Sequence, residues 1–434
     1  MVSSPPVRAI LEQAEQEYLH WDDFRYKFTA PEGAELEDVW RLLRLRRQSG
    51  ARSFPPVSPE GQTFSYGMPD CVLRDLQFVE HYAGAQLEVL EPSTPDVVDR
   101  DRYLVNSLMQ EAITSSQLEG AAITLQQGKE LLRAGRKPAN LYEQMVLNNY
   151  RTIRRLSDLT KQPLTVATIH EIQRGITEGT LDKPDAAGRF RRADELVRVV
   201  DESDGAVLHV PPPAESLPER LERLCAFAND AGDKPFVHPI VRAILLHFWL
   251  AYEHPYCDGN GRTARALFYW YMLKSGYWLM EFVSISTVLL EAPAQYRNAF
   301  LYAETDEGDA TYFIVYHLKA LRRGLEQLKE YLERKQREAS EMIRLLKGKE
   351  GFNHRQLALL HHALRHAGAL YTCRSHATSH RISLMTARHD LYDLARSGFL
   401  DQRKRGREYV FIPARDLQAR IRAGSAGGDH DDAG

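Results

Sequence analysis

The stretch HPYCDGNGRTAR, positions 254–265, gathers an imidazole, a carboxylate, small loop-forming residues and two guanidiniums into twelve residues. Each type has a chemical use. A glycine loop that runs into a helix start aims unpaired backbone N–H groups and a positive dipole end at one point, which suits an anion. Gly259 and Gly261 let the chain turn tightly and approach a ligand closely. Arg262 and Arg265 add donors matched to phosphate oxygens. Asp258 would repel a phosphate unless a cation lay between them. Mg²⁺ held by one carboxylate plus phosphate oxygens removes that conflict. His254, with an ordinary pKa of about 6.5, can accept a proton near neutral pH. Anion hole, metal ligand and base together are the parts for phosphoryl or nucleotidyl transfer to a hydroxyl.

Other uses of the loop fit less well. A calcium loop would need glycine at its sixth position, where Thr263 stands. A plain polar turn accounts for Asp-Gly-Asn-Gly but not for the flanking histidine and arginines. The sequence has no Walker A string, kinase glycine loop or dinucleotide-binding fingerprint. The flanking segments say how the cluster is held. HPIVRAILLHFWLAYE is apolar nearly all round and predicts a buried helix. Pro255 disfavours helical geometry at His254, so this helix should end there, and Arg262 should open the next.

These residues resemble the signature of the Fic family, H-x-F-x-[DE]-G-N-G-R-x-x-R, with Tyr256 in place of phenylalanine. The resemblance implies a mainly α fold: a Fic-type helical bundle with a β-hairpin flap. It implies a protein adenylyltransferase that moves AMP from ATP to a Ser, Thr or Tyr hydroxyl of a target protein, with ATP and Mg²⁺ as its small partners. It makes His254 the general base and Asp258 the Mg²⁺ ligand. Gly259, Asn260 and Gly261 become the anion hole, with Arg262 and Arg265 on the β- and γ-phosphates. The Doc-like phosphotransferase branch has a lysine where Gly261 stands, which favours AMP transfer here.

Upstream, SSQLEG resembles the family's inhibitory motif. Ser115 and Glu119 are four apart, on one helix face, and Gly120 is a plausible stop. By analogy Glu119 pairs with Arg265 and restrains the reaction. The segments LVRVV and AVLHV around DESDG predict a hairpin at about 195–212, either an ordinary surface hairpin or the family's flap. Tyr296 and Tyr302 are either adenine-pocket residues by the resemblance or helix aromatics in the core.

The whole chain frames these motifs. Its 434 residues are too many for one ordinary core. Organisation is expected as an N-terminal extension (1–95), the catalytic region (96–345, inhibitory helix about 103–120), a C-terminal winged-helix domain (346–415) and a disordered tail (416–434). In that last domain, Arg388 and His389 would read a DNA groove. Arg403, Lys404, Arg405 and Arg407 on the wing would meet phosphates, although such modules also serve protein contacts. Cys373, His376 and His380 are spaced for zinc but have no evident fourth ligand. A net charge of −3 gives no bulk reason for a nucleic-acid or membrane partner. No apolar run reaches the roughly 18 residues of a membrane span. Four scattered cysteines fit a reducing cytoplasm. The resemblance makes a homodimer a further expectation. Two alternatives stay open: a DNA-binding regulator that senses nucleotide, and an enzyme that removes AMP.

Overall fold

The computed structural model describes residues 4–83, 97–201, 205–230, 235–347, 352–366, 368–405 and 408–423. The fold is mainly helical, and its described strands form three two-stranded hairpins. Residues 1–86 and 103–328 make one compact unit, and 87–102 with 329–434 make a second.

The first unit is built on two consecutive helices, α10 (Pro239–Glu253) and α11 (Asn260–Lys274), with the signature loop between them. Both are buried on nearly every side. Ile244, Leu245, Leu246, Phe248 and Leu250 of α10 are 0% exposed, as are Leu267, Phe268 and Trp270 of α11. At roughly 1.5–3 kcal/mol per fully buried large side chain, this pair anchors the loop firmly. Against it lie α5 (Val97–Gln117), α7 (Leu141–Leu159), α8 (Val166–Thr177) and α9 (Leu217–Asn229), while α6 (Leu125–Ala134) packs on α5 and α7. On the C-terminal side follow α12 (Ile285–Glu291), α13 (Pro293–Thr305) and the start of α14 (Thr311–Lys347).

What lets α10 be apolar all round is the N-terminal segment. It folds as α1 (Pro5–Glu17), α2 (Trp21–Lys27), α3 (Leu36–Ser49), β1 (Arg52–Val57), β2 (Thr63–Tyr66) and α4 (Asp70–Ala83). The β1–β2 hairpin covers α10 with aromatics. Phe54 meets Trp249 edge-on at 5.5 Å, and Phe64 meets Tyr252 at 4.9 Å. Arg47 of α3 is buried and bonds the Leu19 carbonyl and the Tyr312 hydroxyl, each at 3.0 Å, so α3 is tied to α14.

Three sequence expectations shift. The helix expected to open at Arg262 opens at Asn260, because Gly259 takes the left-handed N-cap position at φ 81°. The expected hairpin exists but is short: β3 (Val199–Val200) pairs antiparallel with β4 (Val207–His209), and residues 202–204 lie outside the described set. The tail expected to be disordered from 416 instead starts with α18 (Leu417–Ala423). Its Leu417 and Ile421, one turn apart, are buried in the core of the second unit. Residues 424–434 lie outside the described set.

The second unit contains α15 (His354–Arg365), α16 (Cys373–His380), α17 (Leu384–Arg396), and the in-register hairpin β5 (Leu400–Arg405) and β6 (Glu408–Pro413). A bridge from Tyr371 to Phe411 adds a third short pairing. Its centre is polar as well as apolar. Asp390, 1% exposed, accepts from Arg355 Nε at 2.7 Å and from Asn353 at 2.7 Å, and lies 3.2 Å from His376 Nε2. One residue considered for zinc, His376, is therefore engaged by a carboxylate from α17.

Candidate active site

Helix α10 ends where Pro255 requires. His254 is its C-cap in left-handed geometry, φ 44° and ψ 56°. A residue with a Cβ pays ~1–2 kcal/mol there, so neighbours must hold it. Its N–H bonds the Leu250 carbonyl at 3.1 Å, and Nδ1 lies 3.3 Å from the Ala251 carbonyl. A carbonyl only accepts, so Nδ1 carries the proton and Nε2 is left as the basic atom. Burial lowers the imidazole pKa to about 4, against an upward pull from the Ala251 hydrogen bond and from Glu119. The ring is thus neutral at neutral pH.

The loop is pinned at each step. Asn260, 2% exposed, grips Tyr256 twice: its Oδ1 accepts from the Tyr256 N–H at 3.0 Å, and its Nδ2 donates to the Tyr256 carbonyl at 2.8 Å. Tyr256 is buried with its hydroxyl 3.0 Å from His170 Nδ1, so the oxygen it has beyond phenylalanine finds a partner. Gln173 of α8 donates to the Asp258 carbonyl at 3.0 Å and accepts from the Gly188 N–H at 2.6 Å. Asn260→Ala would leave both buried groups of Tyr256 unpaired, at ~1–3 kcal/mol each. A lower melting temperature together with weaker nucleotide binding is the expected result, read by thermal melts with and without ATP.

At the start of α11 the first N–H to bond back within the helix is that of Thr263, to the Gly259 carbonyl at 2.9 Å. The amides of Asn260, Gly261 and Arg262 precede it and are the orphan donors of a helix N-terminus. The Glu119 carboxylate lies beside Gly261, the middle residue of the three. A Cβ added at Gly261 would meet Glu119 Oε1, so any larger residue there would have to displace that side chain. Glu119 follows the end of α5 in a turn closed by Gly120 at φ 83° and by the Ala121 N–H to Ser116 carbonyl bond.

Arg265 completes the set. It is 1% exposed and bonds Glu119 Oε1 at 2.9 Å, the Ser115 hydroxyl at 2.8 Å and the Ser115 carbonyl at 2.9 Å. Burial pushes the Glu119 carboxyl up in pKa, but Arg265 and Arg262 outweigh it and the group ends below its ordinary value. Arg262 is 1% exposed and lies 3.2 Å from Asp258 Oδ2. Asp258 is about half exposed, and its Oδ1 accepts from the Gly259 N–H at 2.6 Å. Among the described residues no three His, Cys, Asp or Glu side chains cluster as metal ligands. A cation here would rest on one carboxylate plus the oxygens of a bound phosphate, which is how Mg²⁺ is usually held.

Of the residues singled out by sequence, His254, Asp258, Gly259, Asn260, Gly261, Arg262, Arg265, Ser115, Glu119 and Gly120 thus come together. The two tyrosines have different neighbours. Six residues apart on α13, they face about 120° apart. The Tyr296 hydroxyl lies 2.9 Å from His247 Nε2, and burial raises its pKa to about 12. Tyr302 stacks on His20 at 4.0 Å, against the N-terminal helices. In the second unit, Arg388 lies over the Tyr392 ring at 5.3 Å and His389 pairs with Asp393 at 2.8 Å. Arg403 and Lys404 are exposed on β5, Arg405 ends that strand, and Arg407 lies outside the described residues. Sequence reasoning gave no role to Gln173, Arg191 or His209, which act on backbone carbonyls, although the segments GRFRRADELVRVV and HVPPP that carry the last two resemble the family.

The model of the Fic/DOC family matches residues 163–272, from α8 through the signature loop and most of α11. The chain carries a Fic/DOC domain. A protein adenylyltransferase Fic from Nematostella vectensis is 37% identical over 119 residues, 27% of this chain and 24% of the relative. One from Drosophila yakuba is 31% identical over 156 residues, 36% of this chain and 27% of the relative. The chain thus spans about a quarter of the length of these curated relatives. A crystal structure of a Fic family protein from Desulfovibrio desulfuricans G20 superposes with TM-score 0.55 at 19% identity, covering 81% of this chain and 98% of that one. Fic-1 from C. elegans superposes with TM-score 0.50 at 19% identity, covering 75% and 84%. These two likenesses concern the fold. Among the described residues no helix is long and apolar enough to cross a membrane.

Proposed function

We propose that this Fic/DOC domain is a protein adenylyltransferase held in check by its own Glu119. The observation that carries the proposal is the Glu119 carboxylate seated on Arg265 and beside Gly261. A carboxylate is thus paired with the arginine and stands beside a helix N-terminus suited to anions, where a terminal phosphate of ATP would be held. The names of the relatives, protein adenylyltransferase Fic, support AMP as the transferred group.

In the reaction, a hydroxyl oxygen of a target Ser, Thr or Tyr attacks the α-phosphorus of ATP. The new P–O bond forms as the bond to the pyrophosphate oxygen breaks. The hydroxyl proton passes to His254 Nε2, which is basic because Nδ1–H is committed to Ala251. The amides at the start of α11, with Arg262 and Arg265, hold the phosphates and stabilise charge that grows on the departing pyrophosphate. Asp258 would hold Mg²⁺, which when bound screens the phosphate charge. The β3–β4 hairpin, with Val200 and Val207 exposed, offers a strand edge on which a target segment could register as an added strand. For the second unit we propose a winged-helix assignment, on its order of helices followed by a hairpin.

The test is mass spectrometry of the Glu119→Gly protein after incubation with ATP and Mg²⁺. The expected product carries one adenylyl group per modified site, on a hydroxyl side chain, with pyrophosphate released. Addition of a phosphoryl group, or release of ADP, would replace this reading with a phosphotransferase.

A further inference from the structure

We infer that Arg191 is a positioning residue, whose guanidinium ties both stems of the β3–β4 hairpin to the turn that carries His254 and holds that turn in its working geometry. The inference rests on the adenylyltransferase reading of the site.

Helix α10 ends with carbonyls that lack helical partners. The usual remedy is a glycine turn whose next amides fold back onto them. Only the His254 N–H folds back here, onto the Leu250 carbonyl. The left-handed residue is His254, and Pro255 has no N–H to give. The carbonyls of the turn itself, His254 and Pro255, need donors as well, and the hairpin stem supplies them. On the stem before β3, Arg191 Nε donates to the His254 carbonyl at 2.9 Å, and the Arg191 N–H donates to the Pro255 carbonyl at 2.9 Å. Arg191 Nη2 reaches across to the carbonyl of Pro212, on the stem after β4.

A second cap comes from β4 itself. His209 Nε2 lies 2.7 Å from the Tyr252 carbonyl, and Nδ1 lies 2.7 Å from Glu304 Oε2. Both partners are acceptors that face the two ring nitrogens. The Arg191 guanidinium, a cation at a helix C-terminus, also suits its negative dipole end.

The division of labour matters for Arg191. It is 8% exposed, and the acceptors its side chain reaches are carbonyl oxygens, on His254 and Pro212. A planar fork can serve both at once, whereas the single point charge of a lysine cannot. The same side chain therefore fixes the hairpin stems and the turn under the imidazole. A target strand registered on the hairpin is registered against His254 as well.

The test uses the full chain carrying Glu119→Gly, with Arg191→Ala or Arg191→Lys added. For Arg191→Ala, kcat for AMP transfer should fall about 10²-fold, because the base is misplaced, while KM for ATP stays within about twofold. Arg191→Lys should remain impaired, and free guanidinium ion should partly restore the alanine variant but not the lysine one. A second readout does not depend on activity. By nitrogen NMR of histidine rings, the His254 imidazole should titrate near pH 4 in the parent and closer to its ordinary value once Arg191 is lost and the ring meets water. An unchanged kcat together with an unchanged His254 titration would overturn the inference, as would a rise in KM at constant kcat. If the parent transfers no AMP, the function reading fails by itself, and the His254 titration still decides the role of Arg191.

Discussion

Replacing His254 by alanine is expected to lower AMP transfer by ~10²–10⁴-fold, the usual cost of losing a positioned base. ATP affinity should change little, because the imidazole is bonded to Ala251 and the phosphate donors lie on α11. Alanine alone is an incomplete test. At φ 44° any residue with a Cβ is strained, so the variant could lose the turn as well as the base. Asparagine tolerates left-handed geometry better and cannot accept the proton as imidazole does. His254→Asn should therefore be as inactive as His254→Ala while melting like the parent. Initial rates with labelled ATP, beside calorimetric ATP binding, separate the two effects. Activity within about tenfold of the parent in the asparagine variant would remove His254 from the reaction. The same assignment fixes a pH dependence. The rate falls when the base is protonated, that is, as pH drops through its pKa. With that value lowered to about 4 by burial, kcat/KM should hold steady from pH 8 to pH 6. Glu119 raises the imidazole pKa, and bound phosphate would act in the same direction. The acid limb of kcat should therefore lie above that of kcat/KM.

The parts of the site that were legible in sequence are those whose meaning is local. Pro255 after an apolar run is enough to stop a helix at His254. Gly259 before Asn260 is enough to start the next, although the start falls two residues earlier than Arg262. The pairing of Glu119 with Arg265 could be named because SSQLEG and the signature occur together in the family. Its geometry could not be. Nothing in the sequence says that the carboxylate also lies against Gly261, where a Cβ would have to displace it. The roles of Arg191, Gln173 and His209 were illegible for a different reason. These residues bond carbonyls of residues 254, 258 and 252, which carry no residue-type code. The N-terminal segment was illegible because its role is long-range. Phe54 and Phe64 gain their meaning only from Trp249 and Tyr252, nearly two hundred residues later. The uniform apolarity of α10 was the visible half of that contact: a helix without a polar face needs a cover on every side.

Replacing Glu119 by glycine is expected to raise AMP transfer roughly 10–100-fold. A hydrogen bond between charged groups is worth ~1.5–3 kcal/mol, and each 1.4 kcal/mol of removed competition is about tenfold in affinity or rate. Arg265 should not collapse when its partner goes. Ser115 still holds it through the hydroxyl at 2.8 Å and the carbonyl at 2.9 Å, so the guanidinium stays aimed while its charge becomes available to phosphate. Adding Ser115→Ala should consequently cancel part of the gain. Glu119→Gln separates charge from bulk. If repulsion of phosphate were the whole effect, glutamine would activate like glycine. Because the side chain also occupies the space above Gly261, glutamine should fall between the wild type and glycine. Acid is not a substitute for either variant. The Glu119 carboxyl is held below its ordinary value, so the ion pair is intact at all pH above that lowered pKa and breaks only as pH falls through it. The ratio of variant to wild-type rates should therefore stay level from pH 6 to pH 9. A ratio that shrinks steadily toward pH 6 would mean that the carboxylate is not the restraint, because a restraint made by this pair cannot loosen while both its members remain charged.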